Sequence, residues 1–405
     1  MSVEVINFGC RLNIAEGEAI RAAASGHDNL VVINSCAVTS EAERQAAKAI
    51  RRAARDHPGA RIVFTGCAAQ IDPGKWQAMP NVSAVLGNRE KRLSAFYHAS
   101  GAQVADIMAS APRPAPVVSG KTHARAFVEI QTGCDHRCTF CIIPFGRGNS
   151  TSATPDAIIA AIRDVVDRGQ QEVILTGVDL TSYEGGIAPL ITRILREIPT
   201  LPRLRLSSLD PAEVDAPLFD LLTNQPRLMP HIHLSLQSGD DMILKRMKRR
   251  HSRAQAIDLI QRLKLARAEI AIGADLIAGF PTETAQMFAN SRQIIDECDI
   301  VFGHIFPYSP RAGTPAARMP QIDPATAKAR AAELRTATTA RKSAWLQSQI
   351  GNDVRVLVER NGISGHTENF AQVTLPPCLP GSIVNVRVTA STGEILIADA
   401  YAIAA

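Results

Sequence analysis

Aromatic residues make up only 4% of the chain, so its cores must be filled by Leu, Ile, Val and Ala rather than by packed rings. No apolar run approaches the roughly 20 residues that a membrane-spanning helix needs, which excludes an integral helical membrane protein. The amino terminus, Met1-Ser2-Val3-Glu4-Val5-Ile6, lacks the basic segment and apolar stretch of a secretory leader, so a cytoplasmic protein is expected. Excess charge is also missing. The 44 Lys and Arg against 39 Asp and Glu leave a formal +5, compatible with a polyanionic partner without identifying one. A share of 46% hydrophobic and 20% charged residues excludes a disordered chain. What the chain does have is length and cysteine. Its 405 residues exceed one ordinary core and predict two or three domains. In a reducing compartment its eight cysteines point to metal binding or catalysis rather than to disulfides.

The first hundred residues repeat one pattern three times: a β-branched run ends in a small residue and a cysteine, then a helix-like stretch follows. The runs are Val3 to Cys10, Leu30 to Cys36 and Arg61 to Cys67, and Thr39-Ser40-Glu41 opens a helix between the second and third. Alternating strands and helices predict a doubly wound parallel sheet over residues 1–105. The Pro/Ala-rich patch from Ala111 to Pro116 predicts a linker, assigned to 106–120. Six strand-like runs then alternate with helices: Ala126–Ile130, Glu172–Thr176, Arg203–Ser207, His231–Leu236, Ala271–Ile277 and Val301–Phe306. They predict a partial (β/α)6 barrel over 121–350, closed by helical sequence around 325–349. Short strands with Asn361-Gly362 and Pro380-Gly381 turns predict a small β-barrel over 351–405.

Two cysteine constellations carry the chemistry. Cys134, Cys138 and Cys141 form a Cys-x-x-x-Cys-x-x-Cys loop directly after a predicted strand. Three such thiolates hold three corners of a four-iron cluster and leave one iron open, and an open metal position is where a substrate binds in catalytic sites. The alternative is a zinc knuckle with His136 as fourth ligand, although His136 lies inside the loop between two cysteines. Cys10, Cys36 and Cys67 are distant in sequence, yet each ends its own strand. A parallel sheet brings all carboxyl ends to one edge, where the three can form a second open cluster site. The alternative is three buried structural cysteines. Cys298 and Cys378 fit no pattern and are expected to be core or loop residues.

The chain resembles the radical-SAM methylthiotransferase family over nearly its whole length. The motifs are Gly9-Cys10-Arg11-Leu12-Asn13, Asn34-Ser35-Cys36-Ala37-Val38-Thr39, Thr65-Gly66-Cys67-Ala68-Ala69-Gln70, and the loop continuing as Ile142-Ile143-Pro144-Phe145-Gly146-Arg147-Gly148. Leu175 to Leu180, Arg205 to Pro211 and Phe306 to Pro315 resemble the branch that acts on N6-threonylcarbamoyladenosine beside the tRNA anticodon. Sister branches act on isopentenyladenosine in tRNA or on a ribosomal-protein aspartate. A reading of another class is a non-catalytic iron–sulfur RNA-binding protein, disfavoured because structural clusters generally fill all four positions with protein ligands.

The resemblance implies a TRAM-like C-terminal barrel, two [4Fe-4S] clusters, S-adenosylmethionine, a tRNA partner, and an unidentified reductant and sulfur donor. It implies that the Cys134, Cys138 and Cys141 cluster cleaves S-adenosylmethionine reductively, while the Cys10, Cys36 and Cys67 cluster holds the transferred sulfur. The strand-end residues Gly177, Asp179, Ser207 and Gln237 are candidates for S-adenosylmethionine contact, or else plain turn residues. In the charged run Lys245-Arg246-Met247-Lys248-Arg249-Arg250 the resemblance favours Arg249 for cofactor or substrate. Two departures stand out. Thr282 occupies a turn position where Gly is common. Residues 351–405 carry three Arg against five Asp or Glu, hence −2 on a domain expected to meet RNA phosphates.

Overall fold

The computed structural model describes residues 3–109, 115–119 and 123–400. Most of the Pro/Ala-rich patch therefore lies outside the described residues.

The amino-terminal unit is a parallel sheet in the order β1 (Glu4–Asn7), β2 (Leu30–Ser35), β3 (Arg61–Gly66), β4 (Val82–Leu86) and β5 (Gly101–Gln103). Alternation along the strands gives it two apolar faces. Val32 and Val63 pack with Ile20 of α1 (Arg11–Ala23) on one face. Val31, Ile33 and Phe64 pack with Ile50 of α2 (Ser40–Asp56) and with α3 (Cys67–Ile71) and Trp76 of α4 (Pro73–Gln77) on the other. Thr39 caps α2 as expected, its hydroxyl accepting from Ala42 N at 3.2 Å. The sheet is covered on both faces, as a doubly wound sheet is. Its strand order, however, follows the chain with no reversal, so there is no switch-point crevice.

The central unit is an incomplete (β/α) barrel. One sheet runs β11 (Arg203–Leu206), β10 (Glu172–Thr176), β7 (Ala126–Glu129), β6 (Val118–Ser119), and another β12 (Ser208–Leu209), β13 (His231–Gln237), β14 (Ala271–Ala278), β15 (Ile300–Pro307). Ser207 alone separates β11 from β12. β6 lies inside the segment expected to be linker. Instead it pairs antiparallel with β7, whose edge would otherwise be bare. The helix-facing side is continuous and aliphatic, with Val173, Leu175, Leu204, Leu234 and Leu276 beneath α6 (Pro155–Asp167), α7 (Ile187–Glu197), α8 (Ala216–Asn224), α10 (Arg253–Ala266), α11 (Ala285–Glu297) and α12 (Pro324–Gln347). Two short helices, α5 (Ile143–Arg147) and α9 (Asp241–Met247), flank the Cys134–Cys141 loop.

The inner face is polar and is filled from outside. Ala15 of α1 packs on Phe127 and Ile174, so the amino-terminal unit lines part of the lumen. Arg203 and Arg205 point inward and are fully buried. Arg205 grips Glu172 with both contacts at 3.2 Å, and the carbonyl of Glu368 at 3.0 Å. Burial alone would raise the Glu172 carboxyl, but Arg205 and Arg125 outweigh it and hold it down to about 2.

Glu368 belongs to the carboxyl-terminal unit, a closed barrel ordered β16 (Asp353–Val358), β17 (Ser364–Thr367), β18 (Gln372–Thr374), β20 (Leu396–Ala400), β19 (Ile383–Ser391). Its β17–β18 turn inserts Phe370 among Arg205, Arg11 and Arg125, whose guanidinium carbons lie 4.7, 5.4 and 5.6 Å from the ring centroid. Glu359 pairs with Arg125, and Glu368 lies 4.0 Å from Arg203. The acidity of this barrel is thus partly used for docking against the arginine-lined lumen. Thr282 adopts φ +68°, a left-handed turn in which glycine would be unstrained.

A buried ionic cluster ties the first two units together. Glu16 of α1 accepts from Lys91 at 2.8 Å, Arg92 at 2.9 Å and Arg147 of the central unit at 3.0 Å. Arg92 in turn reaches Glu129 at 2.7 Å. Burial would raise the Glu16 carboxyl, but Arg147, Lys91 and Arg92 hold it well below the usual carboxylate range. Glu16→Ala leaves these cations buried with too little counter-charge and should cost about 3–5 kcal/mol in urea unfolding of the full chain at neutral pH. The native carboxyl is depressed, so this contribution is complete above about pH 4.3 and fades as the pH falls. The gap between wild type and variant should therefore narrow on acidification. A constant gap across that range would contradict the assignment.

Candidate metal centres and their surroundings

Strand register brings the first three cysteines together. Asn7 pairs with Asn34 and Ser35 with Gly66, so Cys10, Cys36 and Cys67 emerge side by side beyond the carboxyl edge. The small residues before them have a steric reason. Gly66 turns the chain at φ +96°, and a Cβ there would fall 2.3 Å from the Ser35 carbonyl. A Cβ on Gly9 would fall 2.8 Å from the Cys36 sulfur. Asn13 braces the edge by donating to Phe8 O at 2.6 Å and Ser35 O at 3.0 Å. Asn88 Nδ2 lies 3.7 Å from the Cys67 sulfur. Cys36 and Cys67 are buried, whereas Cys10 is exposed at the mouth. Burial pushes the Cys36 thiol up to about 12, and the neighbouring Cys67 and Cys10 push it further. Metal loading here must release protons.

The second trio lies on the loop after β8 (Gln131–Thr132), which pairs with β9 (Thr151–Ser152). Gly133 opens the loop at φ +72°, where a Cβ would fall 2.0 Å from the Asn149 carbonyl. Thr139 anchors the loop to α9, its N–H on Met247 O at 3.1 Å and its hydroxyl on Arg246 O at 2.7 Å. Burial pushes the Cys141 thiol up to about 12 and that of Cys134 up to about 11.

In neither trio do all three sulfurs lie within 4.8 Å of one another. One tetrahedral zinc ion would need sulfurs about 3.8 Å apart, closer than all three lie in either trio. His136 lies beside Cys134 and Asp179, their ligand atoms within 4.8 Å of one another. Its Nε2 faces Asp179 at 3.0 Å and the Arg250 guanidinium at 2.7 Å. The two trios share one region. Gly146, five residues past Cys141, packs so that a Cβ would sit 3.2 Å from Cys67 Cβ. Five residues span at most about 18 Å, so the cysteine sets lie within about two nanometres of each other.

The remaining expected site residues occupy strand ends around this region. Gly177 makes room for Gln131, since a Cβ there would fall 2.9 Å from Gln131 Oε1. That oxygen accepts from Val178 N and Asp179 N, both at 2.9 Å. Asp179 accepts from Thr181 at 2.8 Å and Ser182 at 2.7 Å within its own loop and also faces His136 at 3.0 Å. Ser207 Oγ is buried with no hydrogen-bond partner, as is Arg249 Nε. Gln237 sits at φ +70° where the β13–β14 register shifts. Arg249 turns inward to Asp210 at 2.9 Å and Ser235 O at 2.8 Å, with its other nitrogen 3.7 Å from the Cys138 sulfur. Sequence reasoning did not single out Gln131, Asn13, Asn88 or Arg147, which position these loops. Asn13 and Arg147 stand inside the cysteine motifs, and that adjacency was the available signal.

The chain is similar to known proteins over most of its length. The Radical SAM superfamily model matches residues 128–295, and that of Uncharacterized protein family UPF0004 matches residues 2–87. A threonylcarbamoyladenosine tRNA methylthiotransferase of Rickettsia prowazekii is 47% identical, covering 92% of this chain and 91% of its own length. A tRNA-2-methylthio-N6-dimethylallyladenosine synthase of Paracoccus denitrificans is 32% identical, covering 96% and 94%. In fold, the chain resembles the radical S-adenosylmethionine methyltransferase TsrM of Kitasatospora setae, with a TM-score of 0.53 and 15% identity over 75% of this chain and 68% of that one. The chain belongs to the radical-SAM methylthiotransferases, a family built around S-adenosylmethionine and a [4Fe-4S] cluster.

Proposed function

We propose that this chain adds a methylthio group to C2 of N6-threonylcarbamoyladenosine beside the anticodon of cytoplasmic tRNA. The observation that carries the reading is the approach of two three-cysteine sets to within about two nanometres of each other, through the contact of Gly146 in α5 with Cys67 in α3. The substrate choice is supported by 47% identity to the threonylcarbamoyl relative against 32% for the dimethylallyl one.

The adenine C2–H is neither acidic nor joined to a leaving group, so general acid–base or nucleophilic catalysis has nothing to act on. S-adenosylmethionine and two four-iron clusters, when bound, would supply the one-electron chemistry and the sulfur. The chain's own residues position and enclose. Cys134, Cys138 and Cys141 would hold one cluster, and Cys10, Cys36 and Cys67 the other. Arg249 and Ser207 offer polar atoms without internal partners to the amino, carboxylate or ribose groups of S-adenosylmethionine. Gln131 fixes the Gly177–Asp179 loop, and Gln237 closes the same rim. Helix α1 and Phe370 close one end of the lumen. Lys245 and Lys248, exposed on α9 and its cap, are suited to tRNA phosphates. Reductive cleavage consumes electrons and each product removes one sulfur, so a cellular reductant and a sulfur donor are required partners.

Anaerobically reconstituted wild type should hold about eight irons. Replacing Cys134, Cys138 and Cys141 by Ala should leave about four and abolish 5′-deoxyadenosine formation. Replacing Cys10, Cys36 and Cys67 by Ala should retain 5′-deoxyadenosine formation and abolish methylthiolation. The reverse pattern would overturn the division of roles.

In a strain lacking this chain, mass spectrometry of tRNA nucleosides should show loss of methylthio-threonylcarbamoyladenosine alone. Loss of the isopentenyl form instead would assign the sister substrate. An unchanged nucleoside profile, with no S-adenosylmethionine cleavage in vitro, would favour a catalytically silent protein.

A further inference from the structure

On the inner face of the central sheet, apart from the six cluster cysteines, three metal-ligating side chains face one another from adjacent parallel strands. His233 stands on β13, Asp275 on β14 and His304 on β15. Asp275 and His304 are register partners, while His233 lies opposite Gly273. Their neighbours Leu234, Leu276 and Ile305 turn to the helix side, so the trio turns inward.

His233 Nε2 lies 3.1 Å from Asp275 Oδ1, and His304 Nδ1 lies 3.4 Å from the same oxygen. All three ligand atoms fall within 4.8 Å of one another. Ligands about 2.1 Å from one ion are separated by about 3.0 Å at octahedral and about 3.4 Å at tetrahedral angles, so the spacings match a shared ion. The His233 side chain is only 7% exposed and its Nε2 is aimed at the Asp275 carboxylate, so one oxygen draws both imidazoles to it. The fold also clears space for that ring, because a Cβ on Gly273 would fall 2.5 Å from His233 Nδ1. On the open side, His304 is 59% exposed and Asp275 22%, which leaves an entry path and room for further ligands.

We propose that His233, Asp275 and His304 form a site for one divalent transition-metal ion, held by two imidazoles and a carboxylate and distinct from both cysteine trios. Such a donor set suits zinc or iron(II) and leaves coordination positions open towards the lumen.

The test uses the full chain with its iron–sulfur clusters in place, titrated anaerobically with zinc chloride in a calorimeter. Iron content and the visible cluster absorbance are recorded before and after. One zinc per chain should bind with no loss of iron. Asp275→Asn and His304→Ala should each weaken binding by about tenfold or more, without altering cluster content. His304 is exposed on the edge strand β15, so its variant keeps the test usable if Asp275→Asn fails to fold. The proposal is overturned if the wild type binds no zinc, if zinc enters only as iron leaves, or if the foldable variants bind zinc as tightly as the wild type.

Discussion

A single buried carboxylate, Glu16, governs how the two cysteine sets come to share one region. It lies on α1, one turn beyond Asn13, and gathers Lys91, Arg92 and Arg147. Arg147 closes the short helix after the Cys134–Cys141 loop and also donates to Asn13 Oδ1 at 2.7 Å. One guanidinium thus connects a residue bracing the Cys10 edge to the end of the other cysteine loop. Removing three cations and the carboxylates of Glu16 and Glu129 from water is costly, and the arrangement holds only because every cation touches a carboxylate. A displaced domain would leave those charges exposed to one another's absence. Alternative domain placements are thereby penalised, and the spacing between cysteine sets follows.

The parts of the fold that were legible in the sequence are those where local pattern and global topology agree. The strand–small residue–cysteine repeat at Cys10, Cys36 and Cys67 announced both a parallel sheet and a shared edge, because parallel register leaves no other place for the strand ends. The six central strands were equally readable from their aliphatic runs. The lumen was not. Arg203 and Arg205 look like surface residues of an alternating strand, and only their position opposite Glu172 and the C-terminal barrel makes them interior. Gln131 carries no periodic signal at all. Its role depends on Val178 and Asp179, which lie almost fifty residues away in the chain. Ser119 likewise fell in apparent linker, since pairing with β7 is a tertiary event that composition does not announce.

The C-terminal barrel resolves an apparent conflict between its charge and its surroundings. Two of its five acidic residues, Glu359 and Glu368, meet arginines at the base of the central unit. Net charge counted along the sequence therefore misstates the charge it presents outward. The same docking places Phe370 beneath the lumen, between Arg205 and the ring of His366 at 4.7 Å.

That aromatic stopper means the barrel is no interchangeable bead appended to an enzyme. A barrel grafted from elsewhere, however well folded, would bring neither the aromatic tip nor the matching acids, and would leave a guanidinium-lined shaft open to solvent from below. Divergence in the turn around Phe370 and in the strands bearing Arg203 and Arg205 is consequently constrained to proceed together.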